Sequence, residues 1–468
     1  MESHGDDVVL VRHFAPPRAR ERPGSALKAR LVPIYFKTGE DPEFVAQVQK
    51  LQNLLAEEAE LLPPVRLGAR LPETDAVIFP QMLGEAFGQL EKFKKLPQPI
   101  MVVTSEFGTV SMWDWEINSF LSARGLKVIG PTSLEKAKQV CRAFALRRQL
   151  RSSKLLVFQD QPAREGKQDA IFKRFYWWET QCVEAIEKKH GVKVVKKSFK
   201  KLGENARLIP DEAARKEWDL RRATNPVGRL SERAIMSAVK LYLAVKAELD
   251  QDPSVLAVGI NCLNESMYSD TTPCLAWNFL FDDARMVWGC EGDLVSMLTE
   301  ILVGKTLEVP FMMTNLYPFE MGNAALKHEH IPHFPEVDGP PENYILAAHC
   351  GYLGVLPRAF STEWKLKPKV LAIVDDNATA IDARLPEGNI TLVKLMPPFD
   401  RWSIVEGELP KYAQFKNSHC LNGAVMRVPN GKRLVADLVS HHYIVTTGHN
   451  ADDLAAISKV LDLECVVN

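Results

Sequence analysis

Apolar and polar positions follow two repeating patterns in the first third of the chain. From Leu31 to Leu150, short apolar runs alternate with segments whose apolar residues recur every three or four positions, which predicts strands alternating with helices. Asp41 and Pro42 stand where the N-cap and first residue of a helix belong. Continuous apolar strands are typical of a parallel sheet covered on both faces. The predicted strands are Leu31–Phe36, Ala76–Phe79, Ile100–Thr104 and Lys127–Ile129, followed by a helix at Ser133–Leu150.

The same alternation restarts at Lys154 and predicts a second doubly wound α/β domain. Its predicted strands are Lys154–Phe158, Val192–Val195, Val255–Ile260 and Met286–Cys290. Its predicted helices lie near Gln168–Lys188, Glu232–Leu249, Pro273–Asp283 and Asp293–Leu302. In such sheets, ligands bind beyond the carboxyl ends of the strands. We therefore predict domains at 28–150 and 151–308, with candidate binding loops at Asn261–Thr272 and directly after Cys290.

Beyond Val309 the helical pattern largely stops. Short strands separated by turn residues predict an antiparallel barrel or sandwich over 309–468, in which only Ala451–Leu461 looks helical. The predicted strands include Tyr344–Ala348, Leu371–Val374, Ile390–Leu395, Ser403–Leu409 and Tyr443–Thr446. Residues 1–27, rich in Arg and Pro, are predicted to be a flexible polar arm.

Composition narrows the class of protein without naming a function. The 468 residues carry 58 Lys and Arg against 59 Asp and Glu, so the net charge of −1 gives no reason to expect nucleic acid or an anionic membrane as a partner. There is no apolar run long enough for a membrane span and no secretory signal, which favours a cytoplasmic protein. The eight cysteines form no C-x-x-C pair, so we expect buried free thiols.

Candidate chemistry lies at strand ends. Glu291 follows a strand and precedes a glycine, while Asp293 fits the N-cap of the next helix and leaves Glu291 free for function. His349 ends the strand Tyr344–Ala348, and His441 and His442 precede Tyr443–Thr446. Imidazoles and a carboxylate that converge from different elements can hold a divalent metal. Because neighbours on a strand point to opposite faces, only one of His441 and His442 is expected to face a given site.

Other residues carry weaker signals. Trp113 and Trp115 are candidates for a sugar-stacking wall, although packing explains them as well. Asn264, His441 and His449 are candidates for substrate binding. The segment His328–His333 looks metal-like but lies in a Pro-rich stretch, so we interpret it as a loop beside the site. The chain contains no nucleophile elbow, Walker loop or dinucleotide-binding glycine motif.

Several segments resemble L-fucose and L-arabinose isomerases. Thr272-Pro-Cys-Leu-Ala-Trp-Asn-Phe-Leu and Trp288-Gly-Cys-Glu-Gly-Asp are similar to the second domain of both, and Ser440-His-His-Tyr-Ile-Val-Thr-Thr-Gly-His is similar to the last strand of L-fucose isomerase. Tyr344-Ile-Leu-Ala-Ala-His and Phe319-Glu-Met-Gly-Asn are closer to the arabinose enzymes, and the resemblance is best over roughly 250–468.

This resemblance implies two Rossmann-like domains followed by a C-terminal β-barrel. It further implies a homo-oligomer, trimeric or hexameric, with Mn²⁺ or another divalent cation and a small-molecule sugar substrate. The implied reaction interconverts aldose and ketose through an ene-diol. Glu291 would be a metal ligand and acid/base group, with His442 a ligand in both branches and His349 in the arabinose branch; a bound metal polarises the sugar while a carboxylate moves the proton.

The chain departs from the family at Asn315, which stands where the resemblance places a second carboxylate. An asparagine can ligate a metal through its carbonyl oxygen but cannot accept a proton at neutral pH. Asn315 therefore remains a candidate ligand and catalytic position. Besides an isomerase, the sequence leaves open another metal-assisted proton transfer on a carbohydrate, an epimerase or a lyase, and a carbohydrate-binding protein without catalysis.

Overall fold

A computed structural model describes residues 27–36, 41–80, 85–97, 99–107, 112–161, 175–329, 331–350, 353–415 and 423–468. The predicted flexible arm lies outside the described residues except for Leu27. The chain is mixed α/β, with two parallel sheets and an antiparallel β-barrel, as the sequence predicts at this level.

The first sheet is parallel and lies in the N-terminal part of the chain. Its strands are β1 (Ala29–Tyr35), β2 (Ala59–Leu61), β3 (Val65–Arg66), β4 (Ala76–Phe79), β5 (Ile100–Val102) and β6 (Val128–Ile129). The order is β2-β1-β4-β5-β6, with β3 paired to β1. The helices are α1 (Pro42–Leu54), α2 (Glu85–Gly88), α3 (Leu90–Phe93), α4 (Met112–Ser122) and α5 (Leu134–Leu150). The predicted cap at Asp41 is confirmed, since Asp41 accepts the Glu43 N–H at 3.0 Å, and Ser133 caps α5 by accepting the Lys136 N–H at 3.1 Å.

The second sheet is also parallel. Its strands are β7 (Lys154–Phe158), β8 (Lys193–Lys197), β9 (Val255–Ile260) and β10 (Val287–Cys290), in the order β10-β9-β7-β8. Its helices are α6 (Thr180–His190), α7 (Phe199–Leu208), α8 (Asp211–Arg221), α9 (Glu232–Asp250), α10 (Cys274–Ala284) and α11 (Leu294–Leu307). The sequence did not predict α7 and α8. The predicted helix near Gln168 begins only at Thr180, after a 3₁₀ turn at Tyr176–Trp178, and residues 162–174 lie outside the described part.

The C-terminal part contains a closed barrel. Its strands are β11 (Phe311–Pro318), β12 (Tyr344–Ala348), β13 (Glu363–Pro368), β14 (Thr379–Arg384), β15 (Gly388–Met396), β16 (Arg401–Ala413), β17 (Gly423–Arg427), β18 (His442–Thr447) and β19 (Glu464–Val467). The ring β15-β18-β11-β12-β17-β16 closes by pairing β16 with β15, which removes the exposed sheet edges. β19 pairs with β16, and β13 and β14 form a separate hairpin.

Two predictions for this region are wrong. Besides α14 (Ala451–Leu461), the structure contains the short helices α12 (Asn323–Glu329) and α13 (Gly431–Ala436). Leu371–Val374 is not a strand but part of an irregular turn. The backbone carbonyl oxygens of Ile373 and Val374 accept hydrogen bonds from side chains, Ser266 Oγ at 2.8 Å and Lys369 Nζ at 2.9 Å, rather than from a neighbouring strand.

The barrel and the second sheet meet along α11, which is buried almost throughout its length. Packing of α11 against β15 and β18 on one side and β9 and β10 on the other joins the two layers in one hydrophobic core. The seven cysteines within the described residues are free, as predicted, and five of them are buried. The carboxyl end of β10 and the start of β18 thereby come together beneath the N-terminus of α11.

Within the described residues, no helix combines the length and the apolar character that crossing a membrane requires.

Candidate metal centre

Glu291 occupies a tight turn between β10 and α11. Its φ is +55° and that of Gly292 is +63°, so two successive residues adopt left-handed backbone conformations. At Gly292 a Cβ atom would also lie 3.2 Å from a methyl carbon of Val157, which favours glycine there. The indole N–H groups of Trp177 and Trp178 donate to the Glu291 carbonyl oxygen at 3.3 and 3.0 Å. These contacts fix a strained turn at a residue that is 5% exposed.

Asp293 begins α11 as the sequence predicts. One carboxylate oxygen, Oδ1, accepts the backbone N–H groups of Val295 and Ser296 at 2.8 and 2.9 Å. The other oxygen, Oδ2, lies 2.9 Å from Nδ1 of His442. Asp293 therefore links the cap of the helix to the barrel strand that carries the histidine.

His441 and His442 both face Glu291. Their ring centroids are 4.0 Å apart, and each offers a nitrogen within 4.8 Å of a Glu291 carboxylate oxygen and of the other histidine. The prediction that only one of them could face the site is wrong. Its premise fails because β18 begins at His442, so the strict alternation of a strand does not extend to His441.

One separation in this cluster approaches that of two ligands on a shared divalent metal. His442 Nε2 lies 3.7 Å from Glu291 Oε1, too far for a hydrogen bond, and has no hydrogen-bond partner among the described residues although it is fully buried. Buried polar atoms normally have a partner. Two ligands that each lie about 2.1 Å from one ion are about 3.0 to 3.4 Å apart at octahedral or tetrahedral angles, so this pair would need to close by only a few tenths of an ångström.

His349 and Asn315 lie beside this cluster. The barrel register places Asn315 opposite His442 on one side and opposite Ala348 on the other. The amide oxygen of Asn315 is 3.3 Å from His349 Nδ1, and its nitrogen donates to the Tyr317 hydroxyl at 3.1 Å. The His349 and His442 rings are 6.1 Å apart. Of the four residues that the resemblance proposed as metal ligands, Glu291 and His442 thus belong to the cluster, while His349 and Asn315 lie beside it.

The pKa shifts of Glu291 and of the three histidines follow from burial and from their mutual contacts. Burial raises the pKa of Glu291, but the imidazoles of His442, His441 and His349 outweigh it and lower the value to about 2. Burial and the charge of His442 lower the pKa of His349 to about 4 and that of His441 to about 3. Burial also disfavours charge on His442, yet Asp293 and Glu291 raise its pKa above the usual range. At neutral pH, therefore, His349 and His441 are neutral imidazoles with lone pairs available to a ligand.

The structure does not bring every predicted substrate-binding residue to the cluster. His449 is exposed at the far end of β18, where its Nε2 lies 3.0 Å from the Gly407 carbonyl oxygen. Asn264 is buried in the loop after β9, and neither polar atom of its amide has a hydrogen-bond partner within the described range. Its role stays a prediction.

Two other predictions fall partly outside the described residues. Trp113 and Trp115 belong to α4, but the positions of their side chains are not described. His328 lies in α12, again without a described side chain, whereas the His333 side chain is exposed and contacts the carbonyl oxygen of its neighbour Phe334 at 2.9 Å.

Sequence reasoning missed the aromatic residues that border the site. Trp177 stacks on His442 with ring centroids 5.2 Å apart and an interplanar angle of 29°. Trp178 lies next to it, and both tryptophans are buried. The run Phe-Tyr-Trp-Trp at 175–178 was a visible signal, but it falls within the helix predicted near Gln168–Lys188.

The chain was compared with known proteins by sequence. No protein-family model matches it, and no curated protein matches its sequence. A function for this chain must therefore be inferred from the geometry of the cluster.

Proposed function

We propose that the protein is a metal-dependent aldose–ketose isomerase that acts on a sugar or sugar derivative. The observation that carries this proposal is the convergence of Glu291, His441 and His442 from different segments on one buried point. His349 and Asn315 next to it complete a set of nitrogen and oxygen donors suited to Mn²⁺ or a similar divalent cation. The resemblance to the fucose and arabinose isomerases supports the same assignment.

The two parallel sheets and the antiparallel barrel are consistent with this proposal. We propose that the two parallel sheets belong to Rossmann-like domains and that the barrel is the C-terminal domain of a divergent member of that isomerase family. The cluster lies where β10 ends, in accord with the rule that ligands of α/β sheets bind beyond the carboxyl ends of strands. We also propose a homo-oligomer, as in that family.

The residues of the site would have two roles, binding of the cation and transfer of a proton. Glu291 and the imidazoles of His442, His441 and His349 would hold the cation, with the Asn315 amide oxygen as a further ligand. The cation, when bound, supplies Lewis-acid polarisation of the sugar carbonyl and hydroxyl. Glu291 is ionised at neutral pH and is the group that takes a proton from the carbon next to the carbonyl and returns it to the neighbouring carbon.

A specific observation favours a second candidate, a proton transfer that needs one carboxylate only. Asn315 occupies the position of the expected second carboxylate. Its amide oxygen contacts His349 Nδ1 and its amide nitrogen donates to the Tyr317 hydroxyl. Asp293 cannot replace it because both of its oxygens are already hydrogen-bonded. An epimerase or a lyase would abstract a proton beside a carbonyl with Glu291 as the sole carboxylate.

Solvent deuterium exchange tests the proposal. Purified protein is incubated in D₂O with Mn²⁺ and a panel of aldoses, ketoses and sugar acids, and the products are analysed by NMR. Isomerisation predicts deuterium at the carbon next to the carbonyl of an aldose–ketose pair, and its loss in Glu291→Gln. Exchange with inversion, or an unsaturated product, would favour the second candidate instead. Binding of sugars without exchange on any of them would contradict both and indicate a protein that binds carbohydrate without catalysis.

A further inference from the structure

Lys394 is a fully buried lysine for which the proposed function has no role so far. It lies on β15 between apolar neighbours, and its side chain is 1% exposed. Its Nζ atom lies 3.2 Å from Asp293 Oδ2 and 2.8 Å from Ser296 Oγ, although the chain separates it from Asp293 by 101 residues. Burying an ammonium group is costly unless it is paired and hydrogen-bonded. The barrel strand therefore places a charge against the first turn of α11.

The hydrogen bonds around Asp293 determine which nitrogen of His442 carries a proton. Oδ1 is used by the helix cap, while Oδ2 receives Lys394 Nζ, the Ser296 hydroxyl at 2.7 Å and His442 Nδ1 at 2.9 Å. An ionised carboxylate can only accept hydrogen bonds. His442 must therefore donate through Nδ1, which leaves Nε2 directed at Glu291.

We propose that Lys394 is a positioning residue of the metal centre, which holds Asp293 so that His442 presents an unprotonated Nε2 to the cation. This inference rests on the proposed role of His442 as a ligand. Buried carboxylates that hold metal-binding histidines in one tautomer and orientation are a recurrent feature of metal sites. Here the carboxylate is itself held, by a lysine from the opposite layer of the fold.

A purely structural role does not account for this arrangement. The cap of α11 uses Oδ1 alone, and uncharged Asn or Ser serves the same purpose in other helices, as Asn430 does for α13. Lys394 and His442 instead share Oδ2, the oxygen that the cap does not use. The chain from Lys394 through Asp293 and His442 to Glu291 is thus continuous and ends at the proposed metal position.

The test compares Lys394→Met with Thr391→Val. Thr391 lies on the same strand and is equally buried, but its hydroxyl contacts Gly448 and Asn450 at the far end of β18. Mn²⁺ affinity is measured by calorimetry, and the His442 ring tautomer by ¹⁵N NMR of histidine-labelled, metal-free protein at alkaline pH. We expect Lys394→Met to weaken Mn²⁺ binding about 10- to 100-fold and to reduce the Nδ1–H tautomer. Thr391→Val is expected to change neither.

A milder variant keeps the inference falsifiable if Lys394→Met does not fold. Ser296→Ala removes one donor to Asp293 Oδ2 and one acceptor of Lys394, and we expect it to weaken Mn²⁺ binding and to lower the Nδ1–H population. Unchanged affinity and tautomer in both variants, or a wild-type ring protonated at Nε2 alone, would overturn the inference. If the wild type binds no Mn²⁺, the proposed function fails. The tautomer populations of wild type and Ser296→Ala then still show whether Lys394 and Asp293 determine which nitrogen of the His442 ring carries the proton.

Discussion

Replacing Asp293 by asparagine separates its two tasks. In Asp293→Asn the amide oxygen can still accept the N–H groups of Val295 and Ser296, so the cap of α11 is retained. The amide nitrogen then takes the place of Oδ2 and meets only donors, from Lys394, the Ser296 hydroxyl and His442. If the amide is rotated by 180°, its oxygen accepts the bonds from Lys394, Ser296 and His442, but its nitrogen then faces the N–H groups of Val295 and Ser296 and the cap is lost.

The expected cost follows from burial. Lys394 and Asp293 are 1% and 0% exposed, so water cannot replace the lost carboxylate. Breaking a buried ion pair by removing one partner costs about 3 to 5 kcal/mol, because the remaining charge is left uncompensated. The loss of a helix cap alone costs about 1 kcal/mol. We therefore expect Asp293→Asn to lower the free energy of unfolding by about 3 to 5 kcal/mol.

Urea denaturation measures this change, with two controls. Ser231→Ala removes the cap of α9, whose side chain accepts the Ala234 N–H at 3.1 Å, and sets the scale of a cap loss. Asp293→Asn/Lys394→Met removes both charges, and we expect it to be more stable than Asp293→Asn alone, since no ammonium group remains buried without a counter-charge.

Two results would refute this reasoning. A loss below about 1 kcal/mol for Asp293→Asn would mean that the buried lysine does not depend on the carboxylate. A double variant less stable than Asp293→Asn would mean that Lys394 stabilises the fold through contacts other than this pair.

Three further predictions concern single positions. Asn315→Asp adds a carboxylate beside the proposed metal position and is expected to tighten Mn²⁺ binding, and calorimetry showing equal affinity would place residue 315 outside the metal's reach. In Gly203→Ala the new Cβ would lie 1.9 Å from the backbone oxygen of Tyr268, so we expect a loss of about 1 to 3 kcal/mol in urea denaturation, whereas Gly88→Ala, with no atom within 4 Å, should cost nothing. Burial lowers the pKa of His190 to about 4, so the unfolded chain binds its proton first as the pH falls. Stability should therefore decline between about pH 6.5 and pH 4 by up to about 3 kcal/mol, and melting curves of His190→Gln should show a smaller decline; an equal decline in both proteins would contradict this assignment.

Local signals in the sequence were enough to predict the strands and the helix cap that hold Glu291, Asp293 and His349. Asp293 was identified as a cap because Ser, Thr, Asp or Asn before an apolar helix has a local hydrogen-bonding reason to be there. Glu291 and His349 were identified because each follows a short apolar run, and the strands end within one residue of the predicted positions. In these cases chemistry and position are determined by residues only a few places apart.

Partners that are distant in the chain could not be predicted in the same way. Lys394 was not singled out, because its partner Asp293 is identified only once β15 is packed on α11. Trp177 was assigned to a helix, and its stacking on His442 depends on a turn that brings residues more than 260 positions apart into contact. For His441 the strand pattern was misleading, since β18 begins only at His442 and the alternation of a strand does not extend to the residue before it.

The most direct test of the central claim is anomalous diffraction from crystals of the protein soaked in Mn²⁺, recorded at the manganese absorption edge. The account predicts one strong peak per chain between the Glu291 carboxylate and the imidazoles of His441 and His442, and no such peak in crystals of Glu291→Gln. Soaked wild-type crystals with no peak at this position, or with manganese bound only elsewhere, would contradict it.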